Sequence, residues 1–465
     1  MFIQGGDRSN IAAMFPRNAC DHPQQSQDPP MSLAKRSSSY LILGAMLALT
    51  ACGGSDEDSS GTVTVTPTPT ATTTPTPTAT PTPTATTGTD AAATNLVGTG
   101  VSQGTSTAAV VTAANAFLST LGSTQTTEAG TTSSTATVRF PLTLANAIQW
   151  TNLPGSRHGL RLNTSTLSTA QLTAAENLMA TALSSAGKTG QDEIRRADDV
   201  LAARQSGYGS SLYSIAILGA PSTTTPWMLQ IAGHHLAYNI MYNSTYASGS
   251  PAFIGVEPPN WVVSSTGTVS VNGSVTASST GTQHAPLETQ RVAAYNLAQA
   301  LQGNSSFASG ALLSGTYNDV VAGASGDTDG NFGKLAYPTS GRGLLYTSLD
   351  ATTQGYARAL IEAYVRTMPA DLATSLLGTY ESTDALAKTY VGYAKGAGGT
   401  ADFAAFPSGL TSQRSYIRVD GPRVWIEFVV QSGIVFSSQV HYHSVWRDKV
   451  ADYGGQFGAG STSTF

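Results

Sequence analysis

Trp227-Met-Leu-Gln-Ile-Ala-Gly233-His234-His235-Leu-Ala-Tyr-Asn-Ile-Met-Tyr242 and Arg423-Val-Trp-Ile-Glu427-Phe-Val-Val-Gln-Ser-Gly-Ile-Val-Phe-Ser-Ser-Gln-Val440-His441-Tyr-His443 are the two stretches that decide the fold class. Both are apolar, rich in aromatic and β-branched residues and broken by Gly, so each reads as strand. Between and around them the period changes. Thr107–Leu121 places Val110, Val111, Ala114, Phe117, Leu118 and Leu121 on one helical face. Ser168–Ser185 does the same with Leu172, Ala175, Leu178, Met179, Ala182 and Leu183; Ser168 and Gln171 form a capping box, and Gly187 is placed to end the helix. Asp192–Ala203, Glu288–Leu301 and Thr353–Thr367 also read as helical. Helices and strands alternate without regular βαβ spacing. The expectation is an α+β fold, a single large domain of mixed helices and mainly antiparallel strands.

Only 11% of the 465 residues are charged, against roughly 25% in an ordinary soluble domain. The 47 Gly, 22 Pro and abundant Ser and Thr exclude a coiled coil or a long charged helix. With 23 basic and 28 acidic residues there is no cationic surplus for nucleic acid, so no nucleic-acid partner is expected. Two cysteines cannot build a disulfide framework.

The chain divides into three parts. Residues 1–51 read as an N-terminal extension followed by a secretory leader: Lys35 and Arg36 form the basic region, and Tyr40–Leu49 the apolar one. That run is well short of the ~20 residues that span a bilayer. It ends in Leu49-Thr-Ala-Cys52, which resembles a bacterial lipobox, so Cys52 is the expected lipidation site and new N-terminus. Gly53 resembles the sorting pattern for the outer membrane of a diderm bacterium, which places the protein in the cell envelope, partnered with membrane through its lipid. Residues 52–90 carry Thr-Pro repeats (Pro67, Pro69, Pro75, Pro77, Pro81, Pro83) that favour an extended polyproline stalk. Residues 91–465 form the globular part.

Several motifs recur in the order of a known bacterial family. They are Trp150-x-x-Leu153-Pro154, Arg157-x-Gly159-Leu160, Tyr213-x-x-x-x-Leu218-Gly219-x-Pro221, Pro226-Trp227, Gly233-His234-His235-Leu236, Asn239 and Pro251-x-Phe253-x-Gly255. The end, Ile426-Glu427-Phe428 followed by His441-x-His443-Ser-Val-Trp446-Arg447-Asp448, fits as well. Together these resemble the domain of unknown function 3500 family over roughly residues 105–460. The chain departs from that pattern in carrying extra residues, Val429 to Val440, and in having Val440 where the family usually has Asn. The resemblance implies a fold and a map of motifs but no catalytic residue.

Four of the seven histidines fall in two tight clusters. His441 and His443, two apart on a strand, point to one face, as Zn or Cu sites require. His234 and His235 would point to opposite faces, so one of them could complete a three-histidine metal centre with a position left for water, whose pKa a metal lowers to ~7. Glu427 or Asp448 would be the general base, and Arg447 would orient an anionic or carbonyl substrate or bridge to Asp448. A metal-free polar site and a structural role for the histidines stand beside that reading. Trp227 reads as core. Asp327-Thr-Asp329-Gly330-Asn331 resembles part of a calcium loop but lacks its terminal Glu. No P-loop or dinucleotide fingerprint is present, and no Gly-x-Ser-x-Gly elbow occurs where it is wanted, between a strand and a helix. The expected function is a metal-dependent hydrolase on an exported lipoprotein. The alternative is a non-catalytic lipoprotein that binds a metal or small-molecule ligand at the same cleft.

Overall fold

The computed structural model describes residues 31–32, 106–155, 157–243, 247–271, 281–324, 337–395, 415–455 and 457. Cys52, the stalk and the Asp327–Asn331 segment lie outside these residues.

The strands in chain order are β1 (Ser214–Leu218), β2 (Trp227–Gly233), β3 (Leu236–Tyr242), β4 (Ala252–Val256), β5 (Tyr390–Lys395), β6 (Ser415–Asp420), β7 (Val424–Ser432) and β8 (Val440–Asp448). They form one sheet in the order β5-β6-β7-β8-β4-β3-β2-β1, every neighbouring pair antiparallel. Short strands extend it: Leu344–Leu345 on β5, and Arg139–Phe140 and Leu160–Arg161 on β1, while Ala247–Ser248 pairs with β3. A second, small sheet is centred on Trp261–Val263, flanked by Thr268–Ser270 and Thr282–His284; Met31–Ser32, inside the expected leader, pairs with its outer edge. The described residues thus form an α+β domain around a mainly antiparallel sheet.

The longer helices are α1 (Ser106–Ser119), α2 (Thr169–Ala182), α3 (Ser185–Ala202), α4 (Glu288–Gly303), α5 (Ala351–Val365) and α6 (Ala370–Tyr380). They cover one face of the sheet. Phe117, Leu178, Ile194, Leu297, Leu360 and Leu376 meet Ile215, Ile231, Tyr238, Ile254, Ile426 and Trp446 in one continuous core. The other face is covered by irregular segments. Trp150, Ala322 and Tyr337 pack on Ala237, Phe253, Trp425 and Val445, and Leu313 packs on Tyr416 and Val429. Burial on both sides explains why the strands read as unbroken apolar runs rather than as alternating ones.

Three local expectations are corrected. Trp227–Tyr242 is a hairpin that folds back at His234-His235, and 423–443 contains two strands joined by residues 433–439. Gly187 does not end a helix. The helix from Thr169 stops at Ala182, and Ser184 caps the next one by accepting the Gly187 amide at 3.0 Å. Continuous helical periodicity hid this break, because Ser184 both follows one helix and begins another. The capping box of Ser168 and Gln171 is present.

Candidate metal centre

The β2–β3 hairpin pairs Gly233 with Leu236, so His234 and His235 are its two turn residues. His235 has φ 60°, a left-handed conformation that costs a side-chain-bearing residue of order 1–3 kcal/mol and persists only when its surroundings enforce it. The enforcing contacts are visible. The Tyr213 hydroxyl donates to the His234 carbonyl, with its ring against Gly233, where a Cβ would sit 2.3 Å from the ring. The Gly255 amide donates to the His235 carbonyl at 2.7 Å, and the Arg157 guanidinium reaches the Gly233 carbonyl at 3.3 Å. A Cβ at Gly255 would lie 2.7 Å from the Tyr442 carbonyl oxygen and 3.1 Å from the His235 ring, so glycine there makes room for the imidazole.

On β8, His441 and His443 share the face that carries Val445, and in the sheet His443 stands opposite Gly255. The hairpin turn thereby brings the His235 ring to 5.7 Å from that of His441 and 5.1 Å from that of His443; the latter two are 4.7 Å apart. All three residues are buried, and one ring nitrogen of each lies within 4.8 Å of the others. Tetrahedral ligands at ~2.1 Å would be separated by roughly 3.4 Å, so small side-chain rotations close the set on an ion.

The second ring nitrogens fix the tautomers. His441 Nδ1 is 2.8 Å from the Ser432 carbonyl and so donates to it. His443 Nδ1 is 2.8 Å from Asp319 Oδ1, with the Gln431 and Asn152 amides at 3.3 and 3.5 Å. Both Nε2 atoms are left as lone-pair donors, the arrangement in which an outer partner orients a ligating histidine. Burial first, and then the neighbouring imidazoles, push the His235 pKa well below its ordinary value; burial and then His443 push His441 down to about 3. Both are therefore neutral at physiological pH, as metal ligation requires. Burial opposes ionisation of Asp319, but the hydrogen bond and charge of His443 outweigh it and hold the carboxyl below its usual range.

His234 does not belong to the triad. Its ring stacks on His235 at 3.7 Å, while its Nδ1 lies 2.5 Å from Asp198 on α3 and Tyr208 meets it edge-on at 5.0 Å. Asp198 escaped the sequence reading. Its signal is a carboxylate on the buried stripe of Gln191, Ile194 and Leu201. Asp319 carried no signal, since it lies in a loop remote in sequence from the histidines it serves.

The three expected catalytic residues have other surroundings. The Glu427 carboxylate accepts the Val321 amide at 2.5 Å, the Ala322 amide at 2.8 Å and Trp425 Nε1 at 2.6 Å. Arg447 donates to the carbonyls of Ala322 and Gly323 and pairs with Asp452 at 2.9 Å. These two side chains clamp the loop that presents Asp319. Asp448, the next residue on the strand, faces the helical side. There it pairs with Arg423 and accepts the Tyr380 hydroxyl at 2.9 Å. Strand alternation thus rules out the Arg447–Asp448 bridge. Trp227 is core, stacked on Tyr242 at 4.7 Å. His158 and His284 serve elsewhere, bonded to Gln230 and Glu193. Residues Val429–Val440 form the far part of the β7–β8 hairpin and supply the Ser432 carbonyl.

No curated protein and no solved structure matches the chain. The sequence pattern of one family, described as Protein of unknown function (DUF3500), matches residues 103–455, which include every residue of the histidine site. Having this match over most of its length, the chain belongs to the DUF3500 family.

Proposed function

We propose that this is an exported, lipid-anchored envelope protein in which His235, His441 and His443 hold a zinc or copper ion and the surrounding cleft hydrolyses a small substrate. The convergence of three buried imidazoles from two hairpins, two of them kept neutral by burial, carries this reading. Imidazole donors suit Zn and Cu, and three protein ligands leave a coordination position open, whereas a storage site closes its set. When bound, such an ion polarises a carbonyl and activates water. The chain's own contribution is proton handling. Asp198 holds the proton of His234 on Nδ1, so Nε2 is the basic atom and can take a proton beside the triad. Asp319 and the Ser432 carbonyl keep the ligand rings oriented. The lipobox at Cys52 and the Thr/Pro stalk support anchorage, on the outer membrane of a diderm cell. Among the described residues no helix is long and apolar enough to cross a membrane.

Elemental analysis of purified protein tests the metal reading. The wild type is expected to carry close to one equivalent of zinc or copper, and a His441→Ala/His443→Ala variant none. Equal content in both, or none in either, would sink the reading. His234→Ala is expected to keep the metal and lose hydrolysis by ~10²–10⁴-fold; metal retained with turnover intact would instead move the base elsewhere. For the anchor, Cys52→Ser should shift the protein from the membrane to the soluble fraction, and an unshifted variant would exclude lipidation there.

A further inference from the structure

Five large aliphatic side chains are exposed among the described residues: Leu153, Val292, Leu312, Val321 and Ile434. The three most exposed, Ile434, Leu153 and Val321 at 71%, 63% and 49%, all sit in loops that touch the histidine cluster. Leu153 follows Asn152, whose amide approaches His443, and its carbonyl is held by the Arg157 guanidinium that also reaches the His234–His235 turn. Val321 lies two residues beyond Asp319, and its amide is fixed by Glu427. Ile434 lies two residues beyond Ser432, the acceptor of His441, in a loop whose Val435 and Phe436 amides donate to Glu257 at 2.8 Å. Three separate loops, each tied down by hydrogen bonds and each with a neighbouring residue bonded to a histidine of the cluster, therefore carry an exposed aliphatic side chain. Single exposed apolar residues are ordinary on a protein surface; their coincidence on the three loops that contact one site is what sets these apart.

The charges around the site narrow the ligand. Three acidic side chains lie around the cluster: Asp319 on His443, Asp198 on His234, and Glu257, which accepts the Val435 and Phe436 amides of the Ile434 loop. The cations in these loops are engaged. Arg157 and Arg447 donate to backbone carbonyls, and Arg204 lies over the Phe436 ring at 5.2 Å. The surroundings are thus apolar at the rim and acidic beneath it.

We infer that Leu153, Val321 and Ile434 form the specificity rim of the site, and that its substrate is a neutral carbonyl compound bearing an aliphatic or aromatic group rather than a phosphate or carboxylate. This rests on the metal reading above. The test is calorimetric titration of the zinc-loaded protein with acetohydroxamate, hexanohydroxamate and octanohydroxamate, whose head group seeks the ion and whose chain seeks the rim. Affinity should rise with chain length by up to about fourfold per buried methylene. Leu153→Ser/Val321→Ser/Ile434→Ser should abolish that rise while leaving zinc content and acetohydroxamate affinity unchanged. Succinic monohydroxamate, with a carboxylate at its far end, should bind more weakly than a neutral ligand of equal length. No chain-length dependence in the wild type, the same dependence in the variant, or preference for the carboxylate would each overturn the inference. Failure to take up zinc, or to bind acetohydroxamate at all, would instead identify the metal reading as the fault, and the rim assignment would fall with it.

Discussion

At the scale of single residues, the hydrogen bond between Asp319 and His443 has a measurable consequence. The Asp319 side chain is 47% exposed, so replacing it removes little packing, yet it fixes the tautomer and orientation of a buried imidazole. Outer partners of metal-ligating histidines are worth 10–100-fold in affinity. Asp319→Asn should therefore weaken zinc binding by about that factor, read by competition with a chromophoric chelator, with unchanged thermal stability of the zinc-free protein. An unaltered affinity would mean that His443 is oriented by Gln431 or Asn152 instead.

At the scale of elements, α3 shows how packing can reverse a local preference. Replacing a helix-interior glycine by alanine gains up to ~1 kcal/mol of helix propensity. At Gly190 a Cβ meets nothing within 4 Å, so that gain should be realised in full. At Gly187 the Cβ would lie 2.2 Å from the Thr367 carbonyl oxygen, which belongs to backbone and cannot rotate away. Overpacking costs ~1–3 kcal/mol, more than the propensity returns. Gly190→Ala should raise the midpoint of thermal unfolding and Gly187→Ala lower it, each by a few degrees; shifts of the same sign would refute the packing account. The same residue explains why helix α3 began earlier than its periodicity suggested. Gly187 looks like a terminator in a linear reading, and only the Thr367 carbonyl pressed against it reveals that closeness, not termination, is the reason for glycine.

At the scale of the whole molecule, β7 and β8 organise both faces of the sheet. Their loop-covered face carries the histidines, Glu427 and Arg447; their helix-covered face ends in the buried Arg423–Asp448 pair, which also receives the hydroxyl of Tyr380 from α6. Removing one partner of a buried pair leaves the other charge uncompensated and costs about 3–5 kcal/mol. Asp448→Asn should lower the free energy of unfolding in urea by about that amount, while the folded fraction still binds metal. A variant of wild-type stability that has lost the metal would restore Asp448 to the site.

Much of this architecture was legible from the residues alone. Helical period, the Ser168–Gln171 capping box and the aromatic, β-branched runs depend on neighbours three or four positions away, so α+β character and most helix positions follow from local chemistry. The His441-x-His443 face follows from the two-residue repeat of a strand for the same reason. The choice of His235 over His234, the service of Asp198 and Asp319, and the diversion of Glu427, Arg447 and Asp448 into structural bonds depended on contacts between segments far apart in the chain. Side-chain type declares which chemistry a residue is capable of. Which partner it meets is set by sheet register and loop placement, and those exist only once the chain has folded.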